Sequence, residues 1–413
     1  MAAPYKLFEL WCANESAFGE FGETPGSATW SKRISPISYS LNLQQERIVN
    51  GELLARSSDQ NLSHIGPRAC SLEFTMYLGG HNTTTAGALT ATALEDLLSR
   101  GLGGGNTAAT GTTVSAASSG SSVTFTATTG WAAGQIGRIG NKQDARANGQ
   151  AFVMGTVGAP CTFLTAVPAT PANPDVIYAT QQVYHDESLL TSLSTLRFMC
   201  GYSSSPTTGA QYMIFGCQLA SLTLNFPLGG LPTVTFRYTG AYWQRSANTI
   251  PSVSLTLENN FVAPSTGGSM FIQDVGTATN ATITPANLTL NVDLGLEPVV
   301  GPGGVGTYQS IVGWARTMCT PTLTVQIPWS TTYETWFDVA NQSFIYKHIL
   351  FTANAVDGRS VGFYLPRVSP VGNRPSQVVE VSGQLYVPVV FRGREGTVTT
   401  NELTRSAVRI FMG

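Results

Sequence analysis

The chain has 413 residues, of which 11% are charged and 42% hydrophobic, with a formal net charge of -2. Ordinary globular proteins carry roughly 25% charged residues, so the hydrophobic content argues against disorder while the low charge marks an unusual surface. No basic block is present to displace counterions from phosphates, which excludes a dedicated nucleic-acid platform; a folded chain this poor in charge is β-rich and covers its surface by some other means, self-assembly among them.

Residues 1–32 combine a short apolar patch (5–11) with Gly19, Gly22 and Pro25-Gly26, and read as an N-terminal arm lying over a neighbour. The patch is too short for a signal peptide and carries Lys6 and Glu9; no run of about 18 apolar residues suggests a membrane span. Residues 34–43 form a predicted strand, 44–64 a long polar loop or poorly alternating hairpin, and 69–78 (ACSLEFTMYL) a strand with one buried face. Residues 87–101 give the one convincing helix of this half. Thr90 or Thr92 serves as its N-cap, Leu94, Leu97 and Leu98 form its apolar face, and Gly101 stops it.

Composition changes after Gly101. Residues 102–184 hold short alternating pieces separated by Gly, Asn and Pro turns, as expected of a small all-β module inserted into a loop. Strands resume at 196–200, 211–226 and 233–239, with Gly229-Gly230 as a turn. Residues 248–278 read as a linker that includes a strand at 252–257, and a second domain runs from 279 to 413. Its predicted helix spans 330–343, with Tyr333, Trp336 and Phe337 on one face; strands follow at 344–355, 360–364, 376–391 and 407–412. The first domain is therefore discontinuous (33–101 and 185–247). The fold class is mainly β: two β-sandwich or barrel domains, each with one packed helix, plus the inserted module.

The two domains echo each other. Ser40-Leu41-Asn42-Leu43 matches Thr289-Leu290-Asn291-Val292, Arg68 and Cys70 match Arg316 and Cys319, and Phe236-Arg237 matches Phe391-Arg392. Arg68 and Arg316 read either as salt bridges inside each domain or as charged contacts across equivalent interfaces, with Glu95 and Glu334 as candidate partners. Trp314 is core or interface, and Trp336 core.

Chemistry-bearing patterns are weak. Gly301-Pro-Gly303-Gly304-Val-Gly306 fits a dinucleotide-binding pattern, yet no amphipathic helix and no acidic residue near 321–323 follow it, so it reads as a loop. The histidines at 64, 81, 185 and 348 are scattered, and His185-Asp186-Glu187 lacks a second nitrogen or sulfur ligand at metal-binding spacing. No nucleophile elbow occurs. Six cysteines at 12, 70, 161, 200, 217 and 319 form no CxxC pair and read as buried thiols in a reducing compartment. The expectation is no enzyme, no catalytic residue, no cofactor and no metal.

The strand and long loop, the Arg68-Ala-Cys70 run, the acidic-aromatic segment YETWFDVANQ (333–342), YLPRV (364–368) and the late Phe-Arg strands together resemble the major tail tube proteins of long-tailed, siphovirus-like bacteriophages, here with the tube domain duplicated. The phrase ATTGWAAGQIGRIG (127–140) resembles β modules inserted in phage virion proteins. The resemblance implies a virion tail protein, assembled in the host cytoplasm, that forms stacked homo-oligomeric rings. Trimers acting as pseudo-hexamers are favoured over true hexamers. It further implies tape-measure, terminator and baseplate proteins as partners, transient non-specific passage of double-stranded DNA, and no membrane. The other reading is a different virion β protein: a tail terminator, a baseplate component or a capsid decoration.

Overall fold

The computed structural model describes residues 7–15, 18, 32–49, 63–79, 93–106, 112–119, 122–125, 131–140, 151–158, 160–162, 176–185, 196–203, 209–246, 268–274, 280–301, 311–330, 346–353, 360–371, 377–395 and 406–412. The chain opens with strands β1 (Leu7–Asn14), β2 (Lys32–Ile34), β3 (Ser38–Val49) and β4 (Ser63–Tyr77), followed by helix α1 (Ala93–Leu102). Then come β5 (Gly103–Asn106), β6 (Thr112–Ser119), β7 (Ser122–Phe125), β8 (Ile136–Gly140), β9 (Ala151–Val153), β10 (Cys161–Thr162), β11 (Val176–Ala179) and β12 (Gln181–His185). Strands β13 (Leu196–Ser203), β14 (Gly209–Phe226), β15 (Thr233–Gly240) and β16 (Tyr242–Ser246) complete the first half. The second half holds β17 (Ser269–Asp274), β18 (Asn280–Ile283), β19 (Leu288–Asp293), β20 (Leu296–Val300), β21 (Ile311–Arg316) and β22 (Thr320–Pro328). It ends with β23 (Lys347–Ala353), β24 (Val361–Pro370), β25 (Val379–Val381), β26 (Gln384–Arg394) and β27 (Arg409–Met412).

Nineteen strands from both halves join in one hydrogen-bonded network, and one apolar core runs from Leu10 through Phe236 and Leu290 to Ile410. This corrects the expectation of two sandwich or barrel domains, each closed by its own helix. Among the described residues there is one helix, and the halves share a core instead of each enclosing one. The physical reason lies in β14. Its 18 residues are long enough to serve two layers, with Gly216 at a positive φ of 61° between them. Before that glycine, β14 lies between β13 and β16; after it, between β15 and β19, which belongs to the second half. Most of the second helix expected at 330–343 lies outside the described residues, as does the strand expected at 252–257.

Helix α1 buries Leu94, Leu97, Leu98 and Leu102, the apolar stripe that its spacing dictates. Arg100 reaches back one turn to Asp96 (2.9 Å). Gly101 lies inside the helix instead of ending it, because a side chain there would run into Leu219 of β14. The positive φ falls two residues later, at Gly103.

Strands β6 to β11 form a separate six-stranded sheet. Its stalk, β5 paired with β12, extends the network through β27. Ile136 and Val153 of the module pack on Phe271, Leu350, Tyr364 and Phe411. The module thus interrupts the first half of the chain but rests on the second. The N-terminal segment is also more than an arm: β1 lies in register between β13 and β2.

Candidate assembly edges

The two halves repeat strand by strand. Strand β1 lies between β2 and β13 as β17 lies between β18 and β23. Strand β4 lies between β3 and β15 as β22 lies between β19 and β26. Strand β14 takes β13, β15 and β16 as neighbours, and β24 takes β23, β26 and β27. Even the irregularities recur, since the ladder slips between Leu196 and Phe198 in one half and between Lys347 and Ile349 in the other. A bulge is a specified feature of a sheet, so its recurrence at one ladder position strengthens the match between the halves.

Register also corrects three sequence echoes. Cys70 faces Leu43 as Pro321 faces Val292, so the counterpart of Cys70 is Pro321, not Cys319. Gly240 agrees, since a side chain there would meet the Cys70 sulfur at 2.5 Å, and one at Gly393 would meet Pro321 at 2.5 Å. Phe391 lies opposite Leu323 where Tyr238 lies opposite Leu72, so the two Phe-Arg pairs are offset by two positions.

The arginines diverge accordingly. Arg68 stacks on Tyr242 and Trp243 (5.4 and 5.0 Å) and donates to the Tyr242 hydroxyl and the Trp243 carbonyl, both at 3.2 Å. Arg316 sits near Tyr238 of the other half, and burial pulls its pKa down to about 10. Glu334 and the Glu95 side chain lie outside what is described, as do Trp336, His81, Asp186, Glu187 and residues 302–310 of the glycine-rich loop. Trp314 does bridge the halves, its indole N–H donating to the Gly216 carbonyl at 2.6 Å. Arg237 faces Glu73 across β15 and β4, while Arg392 faces Thr322.

His185 is buried on β12, and no group of three or more His, Cys, Asp or Glu among the described residues is placed to hold a metal. Cys70 and Cys217 meet beside Gly240 with Cys200 near both, and burial raises the Cys200 and Cys217 thiols well above their ordinary range, which keeps them protonated.

The sheet β3-β4-β15-β14-β19-β22-β26 presents one face to the core. The other carries charged residues together with hydroxyls and amides, several of which bond to each other. Thr75 and Thr235 hydroxyls lie 2.9 Å apart, Thr223 donates to Asn291 Oδ1 (3.1 Å), and Thr289 donates to Asn225 Oδ1 (3.1 Å). The last two contacts clasp β14 to β19, the junction between the halves. There Leu288, Leu290 and Val292 are sealed at 0–1% exposure.

Strand β3 stands where β19 stands and carries the same pattern: Tyr39, Leu41 and Leu43 toward the core, Ser40 and Asn42 on the polar face. Among the described residues its only partner is β4. No described strand pairs with its other edge, and Tyr39, Leu41 and Leu43 remain half-buried. Strand β25, which holds only three residues, likewise pairs only with β26. Of these two strands β3 is the one whose counterpart, β19, is joined on both sides within the chain. No protein-family model and no curated protein matches the chain.

Proposed function

We propose that the chain is a structural virion protein whose copies pair edge to edge into closed rings, and that these rings stack into the hollow tail tube of a long-tailed bacteriophage. The observation that carries this reading is β3: an edge with the same side-chain pattern as β19 and, among the described residues, without the second strand that seals β19. An open edge with a half-exposed apolar row invites strand addition, and a head-to-tail relation that closes on itself generates a ring. With the six-unit circumference that the resemblance implies, three chains of two units each complete it. The ring would be built in the host cytoplasm and carried in the virion tail. Tape-measure, terminator and baseplate proteins would be its partners, and double-stranded DNA would pass through it without sequence-specific contact.

Electron microscopy of the purified chain, with mass measurement of its smallest closed species, tests the reading. Hollow tubes built from trimeric rings are expected. Single rings that never lengthen would point instead to a terminator or baseplate role, and a persistent monomer would overturn edge pairing altogether.

A further inference from the structure

The inserted module is seated over buried guanidinium groups. Arg409 of β27 is 1% exposed. In register Tyr184 lies across from Arg409 and Gln182 across from Phe411, so these four side chains share one face of the sheet. Phe411 and Tyr364 on that face pack against Ile136 of the module, which makes it the surface on which the module rests. Arg409 donates through Nη1 to the Gly134 carbonyl, and its guanidinium carbon lies 5.0 Å from the centre of the Tyr364 ring. Its Nε–H is buried and meets no acceptor. The charged groups that act on Arg409 are the phenols of Tyr364 and Tyr184, with no carboxylate among them, and burial lowers its pKa only to about 10. The positive charge therefore persists at neutral pH, while burial pushes the Tyr364 hydroxyl up to about 12 and keeps it neutral. Gln182 stands diagonally across the ladder from Arg409, at 0% exposure. Its Oε1 accepts from the Ile136 amide at 3.3 Å, a partner that only the oxygen can meet, and its Nε2 is buried with no acceptor. Buried donors are ordinarily satisfied and buried charges ordinarily paired, so two neighbouring exceptions on one face call for an explanation.

We infer that Arg409 Nε–H and Gln182 Nε2–H together hold a small monovalent anion of the chloride class between the module and the second half. One negative charge balances Arg409, and two N–H donors suit a single spherical acceptor. With both side chains at 0–1% exposure, the seat has no opening for a carboxylate offered by another chain. Arg138 lies on the same face of β8 as Ile136, also at 1% exposure, and adds a second positive charge to the field at the seat. The anion is thereby part of what fastens the module to the body. This site is independent of the ring reading above.

The test follows thermal unfolding and hydrogen exchange of the full-length chain as gluconate is replaced by chloride at constant ionic strength. The midpoint is expected to rise with chloride, and exchange at the Ile136 amide to slow by about tenfold for each tenfold increase once the site is filled. Bromide is expected to substitute for chloride and to appear beside Arg409 by its anomalous scattering in crystals. Gln182→Glu keeps the oxygen that the Ile136 amide needs and sets a carboxylate beside Arg409. It is expected to raise the midpoint in chloride-free buffer above that of the unaltered chain and to abolish the chloride response. A glutamine with only a structural role would give the reverse, lower stability with the response unchanged. A midpoint that ignores chloride, a response that survives in Gln182→Glu, or bromide bound elsewhere and not at Arg409 would each overturn the inference.

Discussion

Strands β19 and β3 are one strand in two settings, and the difference between them isolates what an edge partner contributes. Leu290 and Leu41 occupy equivalent ladder positions, opposite Leu323 and Leu72. Leu290 is fully sealed because β14 lies alongside; Leu41 is half-buried because nothing among the described residues does. Hydrophobic stabilisation scales with area removed from water at about 25 cal/mol per Å². The same side chain therefore stabilises β19 fully within one molecule and β3 only in part. The remainder of its surface stays in water.

The most drastic way to break the comparison is a lysine on the open edge. Leu43→Lys places a charge where an added strand would pack while leaving an exit to solvent in the isolated chain, the device by which natural edge strands refuse partners. Complete loss of rings is expected in native mass measurements, with little change in the unfolding of the monomer.

Next in size, Leu290→Ala should destabilise the monomer by about 2–5 kcal/mol in denaturant titrations, as sealed leucines do. Leu41→Ala should fall well below that in the monomer and approach it in assembled material. Equal effects in both states would mean that β3 stays open. Gly240→Val tests the repeat from inside. It pushes a side chain against the Cys70 and Cys217 sulfurs, at 2.5 and 2.9 Å, and should destabilise by about 1–3 kcal/mol through overpacking.

The smallest effect is a pH dependence confined to the second half. His348 stacks on Tyr364, its Nδ1 2.9 Å from the Tyr364 hydroxyl, and burial lowers its pKa below the ordinary 6.5. Nearby Arg409, lying over Tyr364, lowers it further, against an opposing backbone hydrogen bond at Pro366. The unfolded chain takes up a proton at a pH where the fold still resists it. Stability is therefore complete above the ordinary value and declines as pH falls toward the depressed one. His348→Gln should flatten that part of the profile.

Much of the repeat was readable because Ser40-Leu41-Asn42-Leu43 and Thr289-Leu290-Asn291-Val292 keep both alternation and chemistry, and the absence of a second helix among the described residues does not disturb that match. Strands β1 and β2 were not read as counterparts of β17 and β18. They are short and lack shared residue types, although Ile34 and Ile283 each precede the matching segment by six positions. The echoes of Cys70 with Cys319 and of the Phe-Arg pairs misled because a two-residue slip keeps a side chain on the same face, so periodicity does not detect it. The fusion of both halves into one core was invisible for a related reason. Alternation says which face is buried but not against which half. The candidate site, an edge with no second partner among the described residues, has no residue signature at all; it emerges only when the described pairings are assigned.

The inserted module interrupts the first half, yet Arg409 of the last strand donates to the Gly134 carbonyl within it, and Gln182 of its stalk accepts from the Ile136 amide at 3.3 Å. A chain of two matching halves can in principle be cut into two separate products. Here neither product would be whole: one would carry a module with nothing to stand on, and the other a bare apolar patch of Leu350, Tyr364 and Phe411. The seat of the module thus makes one indivisible part of two halves whose strands match.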